Sequence, residues 1–456
     1  MSTAGSVFAE PPVLPFSPRA NAESDAASRF DVAAAAGLQR KRAIAAPFHA
    51  SSKEQFWALA SRHPHPASKD PRQLLPDEWQ HALQFQASFS TVLENGNVDF
   101  SKLIDKRKSV LCDLFQLQQQ FEGRRQSWSA SLDPDVRKVI GHVNVPLLRH
   151  LAELHGFPDS SLMDDFAAGH PAVGDVPRGG FLPPRSFSAD LSVSSLLDTA
   201  TQRQQRVVDR VTRWGQNATD ELLHSGYTKT LAEYDNKSMI GPFASLAEVA
   251  VELGCSVDEI IITARFTIEQ KQYSGSGDTF QVNTKQRNVD DETHAGLNST
   301  FEMSETYRPL TVDDLAVLQK SFRFAFGNVV ILALFGTDFK SWYRQHAIRK
   351  EHYRFHVIAY WNPISKTVEF GILIAGSRAA SVCSGRIVTL LRFLAARLFG
   401  LAILDCTDDC NSLESRQSAP CGLVCWKRFI NMLGFVLEDS KKASVRNLSF
   451  KVLCAT

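Results

Sequence analysis

Cysteine is scarce in this chain. Eight thiols, Cys112, Cys255, Cys383, Cys406, Cys410, Cys421, Cys425 and Cys454, are spread over 456 residues, too few for a secreted disulfide framework. They read as reduced thiols of an intracellular protein, cytoplasmic or nuclear. Also lacking is a basic segment followed by an apolar core at the start: the chain runs instead through Pro11, Pro12, Pro15 and Pro18 among small residues, so secretion is not expected. No apolar run is long and clean enough to span a bilayer. The longest, Ile387 to Leu404, is interrupted by Arg392 and Arg397, each costing about 3 kcal/mol at a bilayer centre, so an amphipathic helix is expected and no membrane partner. Nor is there an excess of one charge, since 50 basic and 49 acidic residues leave +1. That balance conceals an asymmetry: from Asp338 onward 17 basic residues face 9 acidic ones, against 33 and 40 before it. A basic last quarter on an acidic remainder suggests a polyanion-binding module, although solubility alone accounts for the same scatter of charge.

What is present is apolar material, 44% of the residues, sufficient for two or three domains with their own cores. Residues 1–50, rich in Ala, Ser and Pro, are expected to be a disordered lead. Residues 51–230 read as mostly helical. Leu103, Ile104, Val110, Leu111, Leu114 and Phe115 recur near the helical period, the Pro/Gly cluster 171–185 is a connector, and a charged helical block spans 191–234. His63 and His65, each followed by proline, read as a surface loop in preference to metal ligands. Beyond Gly241-Pro242 the runs become short and β-branched, with strands at 259–268 and 286–289. From Asn328 the chain alternates: strand 329–335, a helix-like stretch to 353, strands 355–361 and 367–374, helix 379–399, strand 401–406, an Asp408-Asp409 turn, helix 421–433, and strands near Phe435 and at 448–453. This order predicts an α+β fold, an antiparallel sheet with helices on one face.

Two acidic strand ends stand out. Asp338 closes a fully apolar strand, and Asp408-Asp409 sit at the turn of an apolar hairpin 70 residues later. Charge at a sheet edge is costly unless it holds a divalent cation. Carboxylates from two adjacent strands can hold two Mg²⁺ ions roughly 4 Å apart, one activating an attacking hydroxyl and the other neutralising leaving phosphate oxygens. A hairpin with a merely polar turn accounts for the same letters, since Asp-Asp also occurs at 164, 290 and 313.

The surrounding segments bear a family likeness. GTDFKSWYRQHAIRKEHYRF, around Asp338, resembles motif A of reverse transcriptases. FGILIAGSRAASVCSGRI resembles motif B, LAILDCTDDCNSLE motif C, and LGFVLEDSKKASVRNLSFKVL motifs D and E. The gaps agree: 38 positions from Asp338 to Gly376, 32 to Asp408 and 33 to Lys441. Upstream, QRNVDDETHAGLNSTFEMSE is similar to the fingers segment of retroelement polymerases, and DDFAAGHPAVGDVPRGGF to a segment of protist retrotransposon polyproteins. The likeness covers residues 145–456.

It implies an RNA-directed DNA polymerase, a nucleotidyltransferase with fingers at 231–337 and a right-hand polymerase palm at 338–456. Template-directed DNA synthesis from dNTPs on an RNA or DNA template-primer would use Mg²⁺ or Mn²⁺. On this resemblance Asp338 and Asp408 ligate the metals and Asp409 supports them. Arg287, with Lys285, grips the triphosphate, a task suited to a guanidinium. Tyr343 crowds the ribose 2′ position, Gly376 leaves room for the base pair with Ser377 as a further substrate-binding residue, and Lys441 or Lys442 protonates the leaving pyrophosphate. Three departures stand beside it: Ile374-Ala375 before Gly376, Cys406 in place of an aromatic, and Cys454 where Leu-Gly is the family pattern. No thumb segment follows motif E, so a weak grip on the duplex is expected. The alternative function is a catalytically inactive retroelement remnant that binds nucleic acid or acts as a scaffold.

Two further features have competing accounts. Cys406, Cys410, Cys421 and Cys425 form a C-x3-C pair of pairs that could hold structural zinc, although Cys421 and Cys425 fit a helix face packed with Trp426, Phe429 and Ile430. In the helix 386–399, Ile387, Leu390, Leu391, Leu394 and Leu398 are expected in the core and Arg386, Arg392 and Arg397 in solvent.

Overall fold

The first half of the chain turns helical where apolar residues recur at three- and four-residue steps. The structure is a computed structural model and describes residues 76–274, 281–327, 329–376, 379–438 and 446–447. Helix α1 spans Asp77–Ser88 and, after a small ribbon (β1, Thr91–Val92; β2, Val98–Asp99), α2 runs over Ser101–Ser131. Leu103, Arg107, Val110, Leu114 and Phe121 form its buried stripe. Next come α3 (Pro134–Ile140), α4 (Val145–Leu154) and α5 (Leu162–Ala168). Asp133 and Asn144 cap α3 and α4 by accepting from the Asp135 and Leu147 amides, and each helix has a proline in its first turn. After β3 (Pro184–Phe187), the block expected at 191–234 divides into α6 (Val193–Asp198), α7 (Ala200–Asn217) and α8 (Asp220–Asp235). The break before α8 arises where Ala218 and Thr219 turn extended and the Thr219 side chain caps the new helix.

The remaining elements are β4 (Met239–Phe243), α9 (Leu246–Leu253), β5 (Ile262–Ser274), β6 (Gln281–Asp290), α10 (Glu292–Ala295), β7 (Met303–Glu305), α11 (Val312–Phe326), β8 (Leu332–Asp338), β9 (Val357–Asn362), β10 (Thr367–Leu373), α12 (Ala380–Phe399), β11 (Ile403–Cys406), β12 (Asp409–Ser415), α13 (Ala419–Met432) and β13 (Arg446–Asn447). The fold is α+β. One sheet has the order β11-β12-β8-β13, all antiparallel. The second, β4-β10-β9-β5-β6, is mixed, because β5 runs parallel to β9. The hairpin β9–β10, which lies within 338–456, thus joins the strands of 231–337.

Helices cover both faces of the four-stranded sheet, not one. Leu332, Leu404 and Leu413 pack with Leu318 and Phe322 of α11 and Trp79 of α1. The alternate residues Ala333, Phe335, Ile403 and Cys410 pack with Leu390 and Leu394 of α12 and Trp426 and Phe429 of α13. The sequence pattern of β8 permits this, since its run Leu332–Phe335 is apolar at every position and has no solvent side. The helix-like stretch after Asp338 proves to be two 3₁₀ turns, Trp342–Gln345 and Lys350–Phe355. Near Phe435 an isolated bridge joins Leu437 to Phe339. The lead 1–50, His63, His65, Ser377, Lys441 and the strand expected at 448–453 lie outside the described residues.

The expectation for α12 holds for its apolar residues, all five of which are buried, and fails for two of its arginines. Arg386 binds Asp159 at 2.7 Å with both side chains 1% exposed, and also Asp165 at 2.8 Å. Arg392 is ion-paired to Glu78 at 2.6 Å and Asp405 at 2.5 Å. Their partners come from α1, the α4–α5 connection, α5 and the interior of β11, which sequence periodicity does not bring together. Arg397 is exposed and lies over the Phe393 ring at 5.0 Å.

Candidate active site

Hydrogen-bond register places the acids. In the β8–β12 pair Asp338 stands directly opposite Asp409, and β11 and β12 are joined by a two-residue turn, Thr407 and Asp408, with Cys406 opposite Asp409. Directly opposed residues share a sheet face with Cβ atoms about 5 Å apart, where two like charges repel. Asp338 is 7% exposed, Asp409 is exposed and Asp408 is half-buried. The Asp408 carbonyl accepts from the Phe339 amide at 2.9 Å and the Asp338 carbonyl from the Glu438 amide at 2.7 Å. The end of β8 is therefore fastened on both sides.

Backbone strain concentrates here. Of four non-glycine residues with positive φ among the described residues, Ser341 (φ 49) and Thr407 (φ 66) flank the acidic end. For β-branched Thr407 the left-handed conformation costs on the order of 1–3 kcal/mol, and strain of this kind clusters at functional sites. The Tyr343 and Thr407 side chains are hydrogen-bonded. Burial, and after it the Asp408 carboxylate, push the Tyr343 hydroxyl above the ordinary tyrosine range. Tyr343 is 38% exposed, so part of its ring faces the cleft.

The cleft is a cavity of about 580 Å³ lined by Phe266, Ile268 and Val289 of the β5–β6 hairpin and by Tyr343, Arg344 and Gly376. Gly376 has φ +76, and a Cβ there would lie 2.7 Å from Arg344 Nη1 and 3.3 Å from the Tyr343 carbonyl, so any side chain would be strained and crowded. Arg287 pairs with Ile268 and Lys285 with Gln270, both cations being exposed. Alternation along β6 puts Lys285 and Arg287 on the face of Val289, the face that lines the cavity.

Arg344 ties the two walls together, a role the sequence did not single out. It binds Glu233 of α8 at 3.0 Å and Asp290 of β6 at 3.5 Å, and donates to the Ala375 carbonyl at 2.7 Å. Arg265 completes the cluster, at 2.6 Å from Glu233 and 2.7 Å from Asp290. Burial raises the Asp290 carboxyl, but Arg265 and then Arg344 and His356 overcome this and hold it at about 2. The available signal was the presence of Asp290 and Arg344 inside the quoted segments; Arg265 lies outside them.

Beneath the turn that follows Asp338, His346 stacks on His170 with ring centroids 5.1 Å apart, among Trp342 and Phe166. Burial, followed by Arg386 and Arg349, lowers His170 to about 3; burial and His170 hold His346 well below the ordinary histidine range. Both imidazoles are neutral in the folded chain and take up protons on unfolding. Their contribution is fully present above about pH 6.5 and is lost as pH falls through that value toward the folded pKa. The urea midpoint is expected to be lower at pH 5 than at pH 7.5, and His346→Phe to reduce that difference. Equal midpoints at the two pH values would contradict it.

Asp338, Asp408 and Asp409 are carboxylates, the ligand type Mg²⁺ and Mn²⁺ take, but the three are not grouped as a ready-made metal site. Among the described residues no three or more His, Cys, Asp or Glu side chains are grouped to hold a metal. The Cys421 and Cys425 sulfurs lie 4.0 Å apart one turn along α13, with Cys425 buried against the Arg107 carbonyl. Trp426, Phe429 and Ile430 are buried beside them. No model of a known protein family matches the sequence, and no curated protein is significantly similar to it.

Proposed function

We propose that this chain is a reverse-transcriptase-like polymerase that extends a primer on an RNA or DNA template by two-metal phosphoryl transfer from dNTPs. One observation carries the reading: Asp338 and Asp409 are register partners, with Asp408 at the adjoining turn beside Tyr343, which lines the cleft. The four-stranded sheet is the palm of this reading and the β5–β6 hairpin its fingers. Bound at the acids, Mg²⁺ or Mn²⁺ would activate the primer hydroxyl and neutralise charge on the triphosphate. Arg287 and Lys285 then hold the triphosphate from the opposite wall, the Tyr343 ring occupies the space a 2′-hydroxyl would need, and Gly376 lets the base pair approach the backbone. Lys441 is assigned the proton for pyrophosphate.

Primer extension on a homopolymer RNA template, in Mg²⁺ and in Mn²⁺, tests this. Absence of extension from folded protein that still binds RNA would replace it with the inactive, nucleic-acid-binding remnant. Tyr343 supplies a separate check. Tyr343→Val opens the sugar pocket and is expected to raise ribonucleotide incorporation relative to deoxynucleotide by roughly 10- to 100-fold, the usual worth of a pocket-shape change. An unchanged ratio would remove Tyr343 from sugar selection.

A further inference from the structure

Helix α7 presents a cationic groove that the polymerase reading does not use. The helix buries Gln204, Val207, Val211 and Gly215. Its outer side carries Arg206, Arg210 and Arg213, at steps of four and three, on one face. With Trp214, Asp209 and His294 of α10 these residues line a groove of about 650 Å³. Arg210 is ion-paired to Asp291 at 2.5 Å and sits 4.8 Å above the Phe266 ring. Arg206 and Arg213 are exposed, and among the described residues no carboxylate lies within ion-pair reach of either.

The groove adjoins the cleft. Phe266 and Asp291 line the cleft cavity, yet Phe266 also lies under Arg210 and meets Trp214 edge-on at 5.7 Å. His294, in the groove, and Thr293, in the cleft, are consecutive residues of α10. A chain leaving the cleft over α10 therefore meets Arg210 next. Seven residues separate Arg206 from Arg213, about 10 Å along the helix axis, too far for one phosphate to bridge. A stacked strand carries a phosphate about every 3.4 Å of rise, so the stripe matches a few consecutive phosphates.

We infer that the α7 groove binds the single-stranded template beyond the cleft, through Arg206, Arg210 and Arg213. The inference rests on the polymerase reading for what occupies the cleft. Its test compares binding of the full chain to a labelled primer–template hybrid with a template overhang of about six nucleotides and to the same hybrid blunt-ended, by anisotropy across a salt series. The overhang is expected to tighten binding. The double variant Arg206→Gln/Arg213→Gln should lose roughly tenfold on the overhang hybrid at about 0.1 M salt, with the salt slope reduced by about 1.4. Its binding to the blunt hybrid should be unchanged, and Arg206→Lys/Arg213→Lys should restore much of the loss.

Equal weakening on both hybrids, or none on either, overturns the inference. So does displacement of the overhang by a polyglutamate peptide as readily as by an oligonucleotide of equal charge, which would make the groove an acidic-peptide site. Extension assayed on the same samples separates the two ideas. Overhang binding through the arginines without extension sinks only the polymerase reading, whereas extension with no arginine dependence sinks only the groove.

Discussion

Asp338→Ala and Asp408→Ala are each expected to lower primer extension by at least about 10³-fold, with little change in RNA binding. The reason is electrostatic: phosphoryl transfer depends on neutralising charge as it spreads over the transferred group, and removing a well-aimed stabilising group costs this much or more. The geometry adds a second expectation that needs no turnover. Asp338 faces Asp409 across the β8–β12 pair, and like charges directly opposite destabilise a sheet. Asp338→Asn should therefore be at least as heat-stable as wild type in metal-free buffer. Tenfold Mg²⁺ excess over its dissociation constant adds about 1.4 kcal/mol to whatever binds it, roughly 2 °C in a chain of this size. Wild type should show that rise and Asp338→Asn should not. If extension persists in both alanine variants, or if Mg²⁺ stabilises Asp338→Asn equally, the acids are not a metal site.

The acids were legible because strand alternation and turn chemistry are local. Leu332–Asp338 announces a buried strand ending in a carboxylate, and Cys406–Asp409 a tight hairpin. Their register, with Asp409 as the partner of Asp338, depends on how β12 docks on β8, which no local pattern dictates. The same limit applies to the arginines of α12. Arg386 and Arg392 resemble solvated cations at helical spacing, and their burial follows from carboxylates more than 200 positions away in one case, Asp159, and more than 300 in another, Glu78. The parallel pairing of β5 with β9 likewise needs a long crossover, because parallel strands cannot be joined by a short turn. Arg344 was visible inside the segment that follows Asp338 but not as a tie, since Glu233 and Asp290 reach it from separate elements.

Long-range pairing also governs what the N-terminal helices do, and Glu414→Ala should expose it with the largest stability loss. Glu414 lies on β12, five residues beyond Asp409, and its carboxylate is wholly buried against Arg107 of α2 at 2.9 Å. Arg107 further donates to the Phe399 carbonyl at 2.7 Å. Gln86 of α1 donates to Glu414 at 2.9 Å, and Ser418 donates to it at 2.8 Å. Truncating Glu414 leaves the Arg107 guanidinium buried without its counter-charge, a loss of about 3–5 kcal/mol, against total stabilities of about 5–15 kcal/mol. A lower urea midpoint with an unchanged m-value is the expected signature. Asp164→Ala, which breaks the exposed Arg149–Asp164 pair, should barely move the midpoint. The paired replacement Arg107→Met/Glu414→Leu should recover most of the loss, because a buried ion pair is worth little over apolar residues of similar volume. Should Glu414→Ala be as mild as Asp164→Ala, the helices are not fastened to the sheet through this pair. The expected outcome makes α1 and α2 buttresses of the strand that begins with Asp409, so that losing the pair loosens the acidic hairpin before any residue of the cleft is touched.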